Sequence, residues 1–283
     1  MTSTVAEVLD LLSLAEISPH TFRGAQPVED RQRVFGGQVA AQALMAAGRT
    51  APGRLPHSLH GYFLRPGDPV APLIYTVDCL RDGGSFSTRK VAAAQDGNVI
   101  FEAMVSFSAR ISGIDYQKQM PSVPLPDSLI RIEEQLAPYA DEHDGWWVRR
   151  RPFDMRYVNA PPRVAVDSDI APPPRSRLWL RPDGVIPKDP MLSSCLITFV
   201  SDLTLLDSVM LQARKTSRGP GIIASLDHAI WFHRPANFAD WLLYDQHSPN
   251  ATGGRGLASG RIYNRSGALV ASIMQEGYLG RDT

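Results

Sequence analysis

Cysteine is almost missing from this chain. Its 283 residues include two, Cys79 and Cys195, too few for a disulfide framework or a cysteine-ligated zinc site. An excess of charge of one sign is missing too. The 29 Lys and Arg balance 29 Asp and Glu, which excludes the bulk basic surface of a general nucleic-acid binder. No apolar run approaches the roughly 18 residues of a membrane-spanning helix. The opening MTSTVAEVLDLLSLAEI lacks a basic leader and carries Glu7 and Asp10 inside its apolar stretch, unlike a secretory signal. The closing Gly280-Arg281-Asp282-Thr283 lacks an SKL-type peroxisomal tag. Hydrophobic residues make up 43% of the chain, so disorder is excluded as well. The expectation is a globular, cytoplasmic protein of one large domain or two small ones, at ~100–200 residues each.

Catalytic signatures are absent in the same way. There is no GxSxG elbow, no Walker A run and no dinucleotide fingerprint, and Gly83-Gly84 and Gly253-Gly254 read as turns. Ser87-Thr88-Arg89-Lys90 matches SxxK, but it lies in an alternating stretch without its companion motifs and reads as a solvated strand face. Arg149-Arg150-Arg151 after Trp146-Trp147 reads as a solvated run or, failing that, a phosphate contact. His228 and His233 face opposite ways on a strand, which speaks against one shared metal ion. No metal or cofactor is expected.

What is plentiful is proline, 23 residues, thirteen of them between Pro121 and Pro190. A segment so rich in proline cannot be one long helix or a central strand. It reads as a covering linker between two better-patterned halves, giving units at 1–115 and 191–283 and a linker at 116–190. The halves are alike. Shifted by 169 residues, HGYFLRPGDPVAPLIY (60–75) lies over AIWFHRPANFADWLLY (229–244), with Phe63/Phe232, Arg65/Arg234, Pro66/Pro235, Leu73/Leu242 and Tyr75/Tyr244 identical. With one residue of extra offset, Gly97-Asn98-Val99-Ile100 then lies over Gly267-Ala268-Leu269-Val270. Each half predicts a helix, at 36–48 and about 193–211, followed by strands near 57–65, 73–80, 84–96 and 98–109, or 224–234, 241–248, 256–264 and 268–279. The predicted architecture is α+β, with an antiparallel sheet wrapped around a helix in each half and the two sheets joined.

Polar residues inside apolar patterns carry the functional signal. The strand LVASIMQEGYL presents Leu269, Ala271, Ile273, Gln275, Gly277 and Leu279 on one face, and Gln275 is its only polar side chain. Its repeat mate is Val105, on a wholly apolar face. A buried amide needs partners, structural or functional. Asp202, among Phe199, Val200, Leu203, Leu205 and Leu206, is either on a narrow wet stripe with Ser201 and Thr204 or buried and paired. The run ASLDHAIWFHRP (224–235) concentrates hydroxyl, carboxylate and imidazole groups that ordinary core strands avoid.

RVFGGQVAAQAL (33–44), HSLHGYFLRPGD (57–68), LRDGGSFSTRKVAAAQDG (80–97), SDLTLL (201–206), ASLDHAIWFHRP (224–235) and VASIMQEGYL (270–279) together resemble the acyl-CoA thioesterase II, or TesB-like, family. The resemblance covers nearly the whole chain in the right order and implies a double-hotdog fold. It implies hydrolysis of acyl-CoA to fatty acid and CoA, without metal or covalent intermediate, by a water held on an Asp, a Thr or Ser, and a Gln. The matching positions are Asp202, Ser225 and Gln275. Ser225 departs from members with threonine there but keeps the hydroxyl. Asp202 is expected as general base, with Ser225 and Gln275 fixing the water.

Candidate substrate contacts are Gly36 and Gly37, whose N–H groups at a helix start could polarise the carbonyl, together with His60, and Arg65 and Arg234 toward CoA phosphates or in structural ion pairs. With all three water-holding residues in the second half, one site per chain is expected, the first half helping to form the acyl channel. A homo-oligomer, dimer or tetramer, is expected. The alternatives are a hotdog enoyl-CoA hydratase or dehydratase recruiting His60 or His228, and a non-catalytic acyl-CoA binding protein.

Overall fold

A computed structural model of the chain describes residues 2–27, 33–109, 112–168, 172–219 and 221–280. Residues 281–283 lie outside the described ones. Helix α1 (Val5–Leu12) starts on a reciprocal cap, in which the Thr4 hydroxyl accepts from Glu7 N–H and the Glu7 carboxylate accepts from Thr4 N–H. The first half continues with β1 (Ala15–Ser18), β2 (Thr21–Gly24), α2 (Gly36–Arg49), β3 (Leu55–Phe63), β4 (Leu73–Asp82), β5 (Phe86–Gln95) and β6 (Asn98–Ser108). A middle stretch holds α3 (Ile132–Gln135), β7 (Phe153–Tyr157), α4 (Pro162–Val166) and β8 (Arg175–Pro182). The second half has α5 (Pro190–Ser201), α6 (Asp207–Ala213), β9 (Ile223–Ser225), β10 (Asp227–Phe232), β11 (Leu242–Thr252), β12 (Arg255–Asn264) and β13 (Leu269–Leu279).

The strands form one sheet in the order β1-β2-β4-β5-β6-β3-β10-β13-β12-β11-β8-β7, with β9 added to β13. The halves meet at β3 and β10, which pair antiparallel from Tyr62↔Asp227 to Ser58↔Trp231. Outward from that seam the repeat mates follow in the same order, β3-β6-β5-β4 on one side and β10-β13-β12-β11 on the other. The repeat in the sequence is thus a repeat in space. Alternation along β6 and β13 turns Val105 and Gln275 inward while Met104 and Met274 face out. The hydrophobic core runs through both halves, joining Leu44, Leu59 and Val105 to Leu196, Phe199 and Ile273.

Two sequence expectations change. Residues 116–190 are more than a covering linker, because β8 pairs with β11 from Arg175↔His247 to Leu180↔Leu242 and β7 extends the sheet beyond it. The prolines permit this by standing at ends: Pro172, Pro173 and Pro174 precede β8, Pro182 closes it, and Pro190 opens α5 behind the Asp189 N-cap. The SxxK stretch is not a solvated face either. Ser87 and Arg89 are buried, and Arg89 binds Asp82 at 2.7 Å. Among the described residues no helix is long and apolar enough to cross a membrane.

Candidate active site

Helices α2 and α5 pack so that the start of one meets the end of the other, with Phe35 and Phe199 ring centroids 5.1 Å apart. A Cβ on Gly37 would stand 2.6 Å from Phe199 O, so only glycine lets the backbones approach this closely. Asp202 ends α5 at the C-cap, and the chain turns before α6 begins. The single helix expected over 193–211 is therefore two. The break aims the Asp202 carboxylate at the first turn of α2, where the Gly37 N–H donates to it. An anion thereby takes a donor that a helix start leaves orphaned. Gly37 N–H, expected to face a substrate carbonyl, faces Asp202 instead. A Cβ on Gly36 would stand 2.9 Å from both Asp202 Oδ2 and Phe63 Cζ, so only glycine fits against that carboxylate.

Ser225 and Gln275 converge on the same carboxylate. Gln275 Nε2 donates to Asp202 Oδ1 at 2.8 Å and to Ser225 Oγ at 2.5 Å, and Ser225 Oγ donates to Oδ1 at 3.3 Å. Asp202 keeps part of its surface open while its carboxyl group sits among protein atoms. Burial raises its pKa above the ordinary carboxylate value, against the lowering pull of His228, the Gln275 amide, Gly37 N–H and Ser225. These are the three residues singled out in the sequence as water-holding.

A departure from regular alternation builds this cluster. A continuous strand over 224–234 would turn Ser225 and His228 to opposite faces. The strand breaks at Leu226, between β9 and β10, where Leu226 N–H donates to Glu276 O and Asp227 Oδ1 accepts from Glu276 N–H. Ser225 and His228 then both reach Gln275. His228 Nδ1 lies 2.6 Å from Gln275 Oε1 and its Nε2 lies 2.9 Å from Ser201 Oγ. The sequence had offered His228 only as a metal ligand or a hydratase base. The signal that could have found it is the repeat, since its mate is Leu59, an apolar-for-polar exchange like that of Val105 for Gln275.

Among the described residues the first half has no such cluster. Leu59 pairs with Val105, both fully buried. Thr50, the C-cap of α2, is held by Arg89, whose Nε donates to Thr50 Oγ1 at 2.9 Å and Nη2 to Thr50 O at 2.8 Å. The other candidate contacts lie apart from Asp202. His60 is exposed on the outer sheet face, edge-on to Trp231 at 4.7 Å. Arg65 and Arg234 clamp equivalent strand starts, donating to Val99 O at 2.7 Å and Leu269 O at 3.0 Å, and Arg234 also pairs with Asp115.

A cavity of about 150 Å³ is lined by Phe35, Trp147, Phe153, Met155, Phe199 and Leu203, with Asp207 in its wall, and Asp202, Ser225 and Gln275 do not line it. Tyr157 OH donates to Asp207 Oδ2 at 2.6 Å, and burial pushes this carboxyl up to about 7.

The class is fixed by the fold: two helices, each wrapped by half of one continuous antiparallel sheet, make a double hotdog. A hot dog fold protein from Alicyclobacillus acidocaldarius superposes on 98% of the chain with a TM-score of 0.78 at 21% identity, covering 99% of that protein. Residues 25–108 match the family model "Acyl-CoA thioesterase N-terminal domain" and residues 167–278 the model "Acyl-CoA thioesterase". Acyl-CoA thioesterase 2 of Haemophilus influenzae is 35% identical over 99% of both chains. The structure of acyl-CoA thioesterase II TesB2 from Mycobacterium marinum is 40% identical, with a TM-score of 0.80 and 98% of each chain covered. The chain belongs to the acyl-CoA thioesterase II, or TesB-like, family, whose reaction is hydrolysis of an acyl-CoA thioester.

Proposed function

We propose that this thioesterase works through one water per chain, held by Asp202, Ser225 and Gln275, with no covalent enzyme intermediate. The observation that carries the proposal is the convergence of a serine hydroxyl and a buried amide on Asp202 Oδ1. Asp202 takes a proton from the water as the oxygen attacks the thioester carbon. The tetrahedral intermediate collapses, the C–S bond breaks, and the CoA thiolate recovers the proton. The products are a fatty acid and CoA. Thiolate is a good leaving group, so an oriented water and a base suffice without a nucleophilic side chain.

The acyl chain is proposed to lie in the largely apolar cavity bordered by Leu203, the residue after Asp202, to which Phe35 of the first half and Phe199 of the second both contribute. Arg65, exposed and anchored by one donor on Val99 O, suits a CoA phosphate better than Arg234, which Asp115 engages. The two halves are proposed as hotdog units meeting at the β3–β10 seam. Two free thiols, Cys79 and Cys195, suit a cytoplasmic enzyme of fatty acid metabolism. The exposed apolar outer face with Tyr62, Met104 and Met274 suits a dimer or tetramer.

The test is thiol release from acyl-CoAs of graded chain length, with enoyl-CoA hydration measured in parallel, by the native chain and by Asp202→Asn. Release by the native chain and its loss in Asp202→Asn are expected. Near-normal turnover in Asp202→Asn overturns the assignment.

A further inference from the structure

We propose that His228 is a positioning residue of this enzyme: it holds the Gln275 amide with its N–H₂ group turned toward Asp202 and Ser225. The role rests on the water-site proposal above. An amide side chain presents a donor end and an acceptor end of nearly the same shape. A carboxylate accepts only, so the 2.8 Å contact to Asp202 Oδ1 assigns the donor end to Nε2. Oε1 is left pointing into the protein, where Gln275 is 1% exposed and an unmet oxygen is costly. His228 Nδ1, 2.6 Å away, supplies the donor, and the proton is therefore on Nδ1.

The other ring nitrogen extends the linkage. His228 Nε2 lies 2.9 Å from Ser201 Oγ. That hydroxyl also lies 2.9 Å from Thr198 O, and Tyr244 OH donates to Ser201 O at 2.9 Å. Ser201 is the last residue of α5 and the neighbour of Asp202 in sequence. The imidazole thus ties β13, which carries Gln275, to the helix end that carries Asp202. Two water-holding residues on different elements are set in register by one ring.

The fold itself does not call for a histidine here. The first half puts Leu59 at the matching position, opposite Val105, and both are fully buried. A leucine–valine pair therefore packs well in this architecture, and the His228–Gln275 pair is the exchange made where the water-holding residues stand. Histidine and glutamine occur together in one half, leucine and valine together in the other.

The experiment is steady-state thiol release from decanoyl-CoA by the full chain and four variants, each checked for folding by near-ultraviolet circular dichroism. His228→Leu is expected to lower kcat about 100-fold with KM within about threefold, because orientation is lost and binding is not. His228→Asn, whose Nδ2–H replaces the lost donor, is expected to recover at least about tenfold of that. The His228→Leu/Gln275→Val variant copies the Leu59/Val105 pair, and its kcat should lie well above the product of the two single losses, since His228 acts mainly through Gln275. A near-native kcat in folded His228→Leu overturns the role, as does an Asn variant no better than Leu, or losses that multiply in the double variant. If Gln275→Val keeps full activity, the water-site proposal has failed and the role falls with it. If Gln275→Val is impaired and His228→Leu is not, the role alone is overturned.

Discussion

Arg89 stands opposite Val105 on neighbouring strands, in the place where Ala258 stands opposite Gln275 in the other half. The room left by a methyl group on one side is taken by a guanidinium on the other. Arg89 is 2% exposed and spends its donors on Thr50, Asp82 and the carbonyls of Arg81 and Thr88. The first half is therefore filled by Arg89 where the second has the small Ala258 beside Gln275, in keeping with the single water site proposed. Arg89→Ala is expected to lower unfolding free energy by about 2–4 kcal/mol, as a cavity opens and Thr50 loses its donors. Thiol release per folded molecule should stay within about twofold, because nothing at Asp202 depends on Arg89. Urea denaturation and kinetics on the same preparation check both, and a large loss of kcat in folded protein contradicts the one-site arrangement.

The converse substitution closes the working site. Ala258 is fully buried opposite Gln275, and Ala258→Leu pushes a branched side chain toward the amide. Overpacking of this kind costs about 1–3 kcal/mol, and it displaces Gln275 Nε2 from Asp202. A misplacement near 1 Å in a positioned group costs about 100-fold in rate, so kcat should drop by about that much while the melting temperature falls only a few degrees. Unchanged kcat in a folded Ala258→Leu protein would show that the amide's placement is not critical.

Removing the polar groups one at a time should rank them. Asp202→Asn loses the base and is expected to cost about 100- to 10,000-fold in kcat. Gln275→Ala and Ser225→Ala lose only water orientation and should cost less than Asp202→Asn. Circular dichroism spectra close to the native one would confirm that the losses are chemical, and a Ser225→Ala loss exceeding that of Asp202→Asn would reverse the assigned roles.

The acid side of the pH profile follows from the surroundings of Asp202. The working form is the carboxylate, and burial raises its pKa above the ordinary value. kcat should therefore fall with decreasing pH at a higher pH than an exposed carboxylate, at about 3.9, would give. The Ser225 hydroxyl is among the groups that pull the value down, so Ser225→Ala should move the limb further up. Profiles of kcat from pH 4 to 8 test this, and a limb that moves down in Ser225→Ala would contradict it.

Much of this was readable from residues alone, and what was not has physical reasons. The repeat, the inward face of β13 and the oddity of Gln275 and Asp202 follow from a period of two and from the cost of burying polar groups. The break of the helix at Asp202 was not readable, since SDLTLL is as helical in pattern as its neighbours. It depends on the first turn of α2, more than 150 residues earlier, whose N–H groups attract the carboxylate. His228 stayed hidden for a similar reason. Strict alternation separates it from Ser225, and only the irregularity at Leu226 brings both to Gln275. The strands β7 and β8 were obscured by prolines that turned out to stand at strand ends.

Asp207 gives a prediction about stability. It is buried at the start of α6, its Oδ2 accepts from Tyr157 OH at 2.6 Å, and burial raises its pKa from the ordinary 3.8 to about 7. The folded state thus holds a proton that the unfolded chain releases near pH 4. With more protons bound when folded, unfolding free energy falls as pH rises. The contribution is fully present below the unfolded value and is lost as pH climbs through about 7. The whole swing is on the order of 4 kcal/mol at ~1.4 kcal/mol per pKa unit. Asp207→Asn is neutral at every pH and still offers Tyr157 an acceptor. The native chain should therefore lose stability between pH 5 and 8 relative to Asp207→Asn, the gap widening toward pH 8. Urea denaturation at the two pH values measures it. Equal pH slopes for the two proteins would mean that Asp207 is ionised in the fold.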